Sequence, residues 1–282
     1  MKMSGYRVQG TGYNKGIKFT KAVATGNDFI IIDARELKSG LSYSKLAKQI
    51  CDRKYGAGAD GLLLIEKSKK ADFTMRIFNP DGSEAEMCGN GSRCAALYAA
   101  TKIIAKSVMK IDTLAGILSA SVKKDIVKVR LTDPKNIKWN LCLMIDKCPY
   151  KLNFVDTGVP HTIFFTKDLD NVDVKNIGSF IRNHGEFSPE GTNADFVEVI
   201  DGGNIKIRTY ERGVEDETLA CGTGAVAGAV ISAEREKMKS PVVVHTRSGE
   251  KLKVYFEIVE GDFTNVYLEG KARLVYDGGL YV

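Results

Sequence analysis

Glu84-Ala85-Glu86-Met87-Cys88-Gly89-Asn90-Gly91 recurs further along the chain as Glu217-Thr218-Leu219-Ala220-Cys221-Gly222-Thr223-Gly224. Each stretch reads C-G-x-G, with a glutamate four residues before the cysteine and an alanine-rich run after it. The likeness extends outward in register. Arg76 lies 12 positions before Cys88, and Arg208 lies 13 before Cys221. Thr113-x-x-Gly116 and Thr246-x-x-Gly249 each place their glycine 28 positions after the cysteine. Gly58-Ala59-Asp60 pairs with Asn193-Ala194-Asp195, and Thr25-Gly26-Asn27 pairs with Thr157-Gly158-Val159. Echoes in the same order at nearly equal offsets imply two copies of one fold. The copies are expected at 17–134 and 150–263. Between them the stretch 133–150, with Pro134 and Pro149, reads as a linker, and residues 1–16 read as a flexible leader.

Composition narrows the function classes. The chain has 282 residues, 44% hydrophobic and 27% charged, which suits an ordinary globular protein of one or two domains. No apolar run approaches the roughly 18 residues that span a bilayer. The net charge of +6 is scattered, so neither a nucleic-acid surface nor a membrane partner is expected. No signal peptide is evident, which points to a cytoplasmic, reducing setting where thiols stay free. None of the six cysteines forms a C-x-x-C pair, and no metal site is expected. Phosphate-loop and pyridoxal motifs are also absent, so no cofactor is expected. Cys51, Cys94, Cys142 and Cys148 read as small buried hydrophobes.

Short β-branched and aromatic runs predict strands at 29–32, 61–66, 73–78, 126–131 and 162–165. Further strands are predicted at 196–200, 205–210, 242–245, 252–259 and 266–268. Helices are predicted at 43–51, 91–104, 174–183 and 223–237. The fold class is mixed α/β and sheet-rich, with one dominant helix after each C-G-x-G. It lacks the regular βαβ rhythm of a dinucleotide fold.

A cysteine at the start of a helix has a distinctive chemistry. The first N–H groups of a helix are unpaired and carry partial positive charge. That setting is expected to lower a thiol's pKa and to receive a substrate carboxylate. Two such sites facing each other could invert an amino-acid α-carbon, with a thiolate removing the proton on one face and a thiol returning one on the other. Cys88 and Cys221 are the candidates.

The stretch Asn79-Pro80-Asp81-Gly82-Ser83 running on to Cys94 resembles the first signature of the diaminopimelate epimerase family. Glu211-Arg212-Gly213, followed by Glu217 to Gly224, resembles the second. The motifs around Asn27, His161 and Asn193 match as well, so the resemblance covers roughly 17–278. It implies two pseudo-symmetric domains, each a barrel-like sheet around a central helix, with an active site in the cleft between them and the segment 264–282 returning to the first. It implies cofactor-independent epimerisation of LL-diaminopimelate to meso-diaminopimelate, on the route to lysine and peptidoglycan precursors. Cys88 and Cys221 would be the acid/base pair, flanked by His161 and Glu211. Asn27, Asn79, Asn193 and Arg212 would hold the distal end of the substrate. Gly89, Asn90, Gly222 and Thr223 would hold its reacting carboxylate. A homodimer is suggested by the family alone. Departures from the family pattern are Val159, where asparagine is common, Gly61, where some members have glutamine, and one extra residue between Gly213 and Glu217. The alternatives are a proline or hydroxyproline racemase, which usually has histidine where this chain has Asn90, and a non-catalytic amino-acid-binding protein.

Overall fold

The computed structural model describes residues 16–37, 40–145 and 148–281; the expected leader lies outside them except for Gly16. The first half holds β1 (Ile17–Ala24), β2 (Asn27–Asp33), β3 (Gly61–Glu66), β4 (Phe73–Phe78), β5 (Glu84–Ala85), β6 (Val108–Thr113), β7 (Gly116–Lys123) and β8 (Ile126–Arg130). Its helices are α1 (Tyr43–Cys51) and α2 (Gly89–Thr101). The second half holds β9 (Lys135–Ile145), β10 (Cys148–Asp156), β11 (Pro160–Phe165), β12 (Asn193–Asp201), β13 (Asn204–Glu211), β14 (Asp216–Thr218), β15 (Val242–His245), β16 (Lys251–Val259) and β17 (Asp262–Lys271). It carries α3 (Val174–Arg182) and α4 (Gly222–Glu236), and β18 (Arg273–Leu280) ends the chain.

The strand pairings repeat. In the first half the hydrogen-bonded order is β18-β1-β2-β3-β4-β6-β7-β8. In the second it is β9-β10-β11-β12-β13-β15-β16-β17. Parallel pairs fall at the same two places, β2–β3 and β4–β6 against β11–β12 and β13–β15. Strands β8 and β17 then pair antiparallel and join the halves.

Each half wraps one helix. Residues 89–99 of α2 and 224–233 of α4 are buried without a break. A helix buried all round must lack a polar face, and a sheet closes on it only if its side chains are small. The alanines and glycines after each cysteine meet both demands. A Cβ on Gly228 would already stand 3.1 Å from Ile207 Cδ1 and 3.3 Å from Val197 Cγ2. One apolar core runs through both helices and across the β8–β17 seam, where Val129 sits opposite Leu268.

Several sequence echoes are structural devices. Arg76 grips Glu84 through two hydrogen bonds of 2.7 and 2.8 Å, and Arg208 grips Glu217 at the same two distances. These forks fasten β5 onto β4 and β14 onto β13, just ahead of each cysteine. Gly116 (φ 112°) and Gly249 (φ 81°) lie in the turns that enter β7 and β16, in the region that favours glycine. The extra residue before Glu217 falls in a tight turn where Glu215 takes φ 58°.

The structure corrects the sequence reading in places. The expected linker 133–150 is mostly strand: β9 and the start of β10 form a hairpin. Pro149 is tolerated because it sits at the hairpin end, before β10 meets β11 at Asn153. Strands β1, β6, β7 and β18 were also missed, since lysines and glycines dilute their pattern and partners distant in sequence complete them. Cys142 is exposed rather than buried, because β9 pairs on one side only and turns that residue to solvent. The Cys148 side chain lies outside the described residues.

Gly178 on α3 packs flat against Tyr210, and a Cβ there would overlap the Tyr210 side chain. Helix propensity alone would make Gly178→Ala stabilising by roughly 1 kcal/mol. Overpacking against a rigid strand residue is expected to reverse that sign, with a net loss of about 1–2 kcal/mol in urea unfolding.

Candidate active site

Both cysteines are helix N-caps. Cys88 takes an extended backbone (φ −145°, ψ 120°), and its Sγ accepts the Gly91 N–H at 3.4 Å. Cys221 does the same (φ −108°, ψ 122°), accepting the Gly224 N–H at 3.4 Å. A thiol thus fills the role usually taken by serine or aspartate. The two helix starts meet closely. A Cβ on Gly222 would lie 3.8 Å from Gly89 Cα and 3.2 Å from Leu268 Cδ2. A Cβ at Gly222 would thus touch the opposite helix start and press on the Leu268 side chain.

A cleft of about 1070 Å³ opens in front of them, lined by Cys88 and Cys221 together. That is at the upper end of the roughly 300–1,000 Å³ usual for small-molecule sites. Asn27, Asn79, Gly89, Asn90, Asn193, Glu211, Arg212, Gly222 and Thr223 also line it. His161 does not; it is fully buried behind Thr223. The Val159 and Gly61 departures both fall in the cleft wall. At Gly61 a Cβ would be 3.2 Å from the Phe78 carbonyl oxygen.

Around Cys221 a chain of hydrogen bonds runs inward. The buried Asp195 carboxylate accepts from His161 Nδ1 at 2.6 Å and from the Thr209 hydroxyl at 2.7 Å. In the tautomer with its proton on Nδ1, the ring accepts at Nε2 from the Thr223 hydroxyl, 2.9 Å away. The Thr223 oxygen stands 3.3 Å from Cys221 Sγ and accepts its S–H. This is a continuous path for a proton from the thiol to a histidine held by a carboxylate.

Cys88 has different company. Asn27 Oδ1 stands 3.9 Å from its sulfur and accepts the thiol proton. Asn90 Nδ2 donates to Asn27 Oδ1 and to the Ala220 carbonyl, each at 3.5 Å. Asn90 Oδ1 is held at 2.7 Å by Arg93, which also donates to Thr25 Oγ1 at 2.6 Å. Arg93 is fully buried, and no carboxylate lies within ion-pair reach of it among the described residues.

Strand register explains this asymmetry and corrects one sequence echo. Phe29 pairs with Gly61 across β2–β3, and His161 pairs with Asn193 across β11–β12. Asn193 is therefore the counterpart of Gly61, and Asp195 is the counterpart of Leu63, not of Asp60. A Cβ on Gly91 would meet Leu63 as one on Gly224 would meet Asp195. The buried Asp195–His161 pair thus replaces an apolar Leu63–Phe29 pair. Sequence reading missed Asp195, Asp60 and Arg93 as site residues. Asp195 stands inside the quoted Asn193-Ala194-Asp195 motif, but a three-residue register error hid its role. Arg93 stands inside the first signature, where no spacing argument distinguishes a buried arginine.

Burial overturns the expected acidity of the thiols. Desolvation pushes Cys88 up, the Glu211 carboxylate adds to this, and the Gly91 N–H and Arg93 pull back without cancelling it. Burial also pushes Cys221 well above the ordinary thiol value, reinforced by Glu211 and Asp195 and opposed by Thr223 and Gly224. The helix starts act in the expected direction and lose to the low dielectric. Glu211 is itself raised, chiefly by burial.

The outer wall carries Asn193 and Arg212. Asn193 Oδ1 accepts the Arg212 backbone N–H at 2.8 Å, and its Nδ2 donates to the Pro160 carbonyl at 2.9 Å. The Arg212 guanidinium donates to the Glu190 carbonyl at 3.2 Å, and no carboxylate pairs with it among the described residues. A second hollow of about 470 Å³ lies beside Arg208 and Arg247. Both of those arginines are already paired with Glu217.

A family model described as diaminopimelate epimerase matches residues 19–137 and 153–275. Among curated relatives, a diaminopimelate epimerase from Hydrogenobaculum sp. is 43% identical, covering 93% of this chain and 97% of its own. One from Aquifex aeolicus is 42% identical, covering 94% and 98%. Among solved structures, a phenazine biosynthesis protein of the PhzF family from Bacillus anthracis has a TM-score of 0.71 at 19% identity, over 95% of this chain and 100% of that one. A probable proline racemase from Agrobacterium radiobacter has a TM-score of 0.72 at 15% identity, over 94% and 92%. At such identities the last two bear on the fold alone. Doubled halves, twin thiol caps and near-complete matches agree: this chain belongs to the diaminopimelate epimerase family.

Proposed function

We propose that the protein interconverts LL- and meso-diaminopimelate without a cofactor, in lysine biosynthesis, using Cys88 and Cys221 as opposed acid and base. One thiolate takes the α-proton and becomes S–H, leaving a carbanion at the α-carbon. The opposite thiol gives its proton to the other face and becomes thiolate. The centre is inverted, and the two sulfurs have exchanged states. The substrate's α-carboxylate rests on the helix-start amides near Gly89, Asn90, Gly222 and Thr223, where charge developing in the transition state is best held. Substrate α-ammonium charge favours thiolate formation, offsetting the desolvation that keeps both thiols protonated in the empty cleft. For Cys221 the released proton has a route through Thr223 to His161, with Asp195 stabilising the imidazolium.

The observation that carries this reading is two capped thiols on one cleft with an unpaired arginine, Arg212, in its wall. A second carboxylate calls for such a cation; proline has none to offer. Asn27, Asn79 and Asn193 complete the distal grip. A cytoplasmic homodimer belongs to the same reading, supported by the family alone.

Heavy-water exchange tests the reaction. Pure reduced protein should exchange the α-proton of both LL- and meso-diaminopimelate and leave L-proline untouched; no exchange with either isomer defeats the proposal. Cys88→Ser and Cys221→Ser should each abolish net epimerisation, since each face needs its own group, and substantial turnover by either would contradict a two-base mechanism.

Arg212→Ala should lower kcat/KM for diaminopimelate about 10- to 100-fold, the usual worth of a hydrogen bond to a charged group, with an unchanged unfolding midpoint. An unaltered specificity constant would remove Arg212 from the site.

The pH profile has a defined sign. Both thiols are pushed up, so the thiolate fraction is small at neutrality and grows as pH rises. The specificity constant should climb from about pH 6 to about pH 9. A profile already flat at about pH 6 would mean that a thiolate is preformed.

A further inference from the structure

The cluster at the mouth of the first half stands 3.9 Å or less from link to link all the way to Cys88, yet the acid/base scheme above makes no use of it. Asp60 sits at the entry to β3. Its Oδ1 receives the Arg53 guanidinium at 2.6 Å, and its Oδ2 receives the Asp28 backbone N–H at 3.1 Å and Asn27 Nδ2 at 2.8 Å. Arg53 also pairs with Asp28 at 2.7 Å, and Asp28 with Lys21 at 2.6 Å. Every partner of the Asp60 carboxylate is thus a donor.

This fixes an amide. Asn27 presents an oxygen on one side and an NH₂ on the other, and a carboxylate accepts only from the NH₂. With Nδ2 committed to Asp60, Oδ1 must face Cys88 Sγ and Asn90 Nδ2. Arg93 fixes Asn90 from the far end in the same way, by donating to its Oδ1. A charged group of fixed character stands at each end, so only one orientation of both amides satisfies every bond. The counterpart of Asn27 in the second half is Val159, and the polar atom that faces Cys221 is the Thr223 hydroxyl rather than an amide.

We propose that Asp60 is a positioning residue for Cys88: it locks the Asn27 amide with its carbonyl toward the sulfur, so that Cys88 is held in its proton-donating form. The assignment of Cys88 as an acid in epimerisation rests on the function proposed above; the lock itself does not. An amide carbonyl facing sulfur favours S–H over thiolate, and an NH₂ there would favour thiolate. In Asp60→Asn the new amide must keep its oxygen for Arg53 and turn its NH₂ to Asn27. Asn27 then loses the acceptor that fixed its NH₂, only the weak 3.5 Å bond from Asn90 still favours the old orientation, and the orientation with NH₂ toward Cys88 becomes populated.

The test is site-resolved alkylation of the full chain by iodoacetamide across pH, with each cysteine followed by peptide mass spectrometry. The titratable and charged groups bearing on Cys88 are Arg93 and Cys94 in its own helix, Glu211 from β13 across the cleft, and Glu86 two residues before it. None of these is altered in the variants. Asp60→Asn should move the alkylation midpoint of Cys88 down by about one pH unit and leave that of Cys221 in place. Asn27→Ala leaves the Arg53 pair intact and should also lower the Cys88 midpoint. Adding Asp60→Asn to Asn27→Ala should then produce no further shift. Asp60→Glu, which keeps the charge, should restore much of the wild-type profile. A Cys88 midpoint unmoved in either folded single variant overturns the proposal. Alkylation needs no substrate, so a moved midpoint in a protein that fails to exchange diaminopimelate would sink the functional reading and leave the lock standing.

Discussion

Two helix N-termini buried head to head are the constraint on which everything else rests. Burying a helix start leaves several N–H groups without water, and each must find a partner. Here a cysteine sulfur takes one N–H at each start, and both starts border the open cleft. The glycines at 89 and 222 let the two starts approach across Leu268. The wrapped sheets hold them there, because helices of alanine and glycine have no other face to expose. The placement of the two sulfurs is therefore a by-product of packing: they cannot drift without opening the core of both halves.

Duplication provides two equivalent places, but the structure fills them differently. Behind Cys221 lies a buried carboxylate–imidazole–hydroxyl chain. Behind Cys88 lie a buried guanidinium and two amides. An acid and a base in one reaction need not share an environment, and a low dielectric magnifies small differences in nearby charge. Burial raises both thiols, so the cleft at rest stores neutral sulfur rather than exposed thiolate. Neutral sulfur leaves the nucleophilic form to appear only when a charged ligand displaces the solvent.

Much of this was legible in advance because the repeat is carried by local necessity. The glutamate four residues before each cysteine is there to meet an arginine on the neighbouring strand. The glycines 28 positions after each cysteine are there because a turn needs positive φ. Such demands act at short range, so spacing preserves them. The linker at 133–150 was misread for the converse reason: β9 becomes a strand only by pairing with β10, and prolines at its borders look like a break until the partner is known. Cys142 was misplaced because one open strand edge decides its exposure.

By itself the sequence determined the doubling, the thiol-capped helices, the family and most of the residues on the cleft, since these follow from local geometry and side-chain type. Only the tertiary structure decided which aspartate serves which thiol. Sequence similarity aligned Asp60 with Asp195, whereas the parallel strand pairs set Asp195 against Leu63 and leave Asp60 free to hold Asn27. The physical reason is that strand register is fixed by backbone hydrogen bonds between segments far apart in the chain. A slip of three residues, being odd, turns a side chain to the opposite face as well as changing which neighbour it meets.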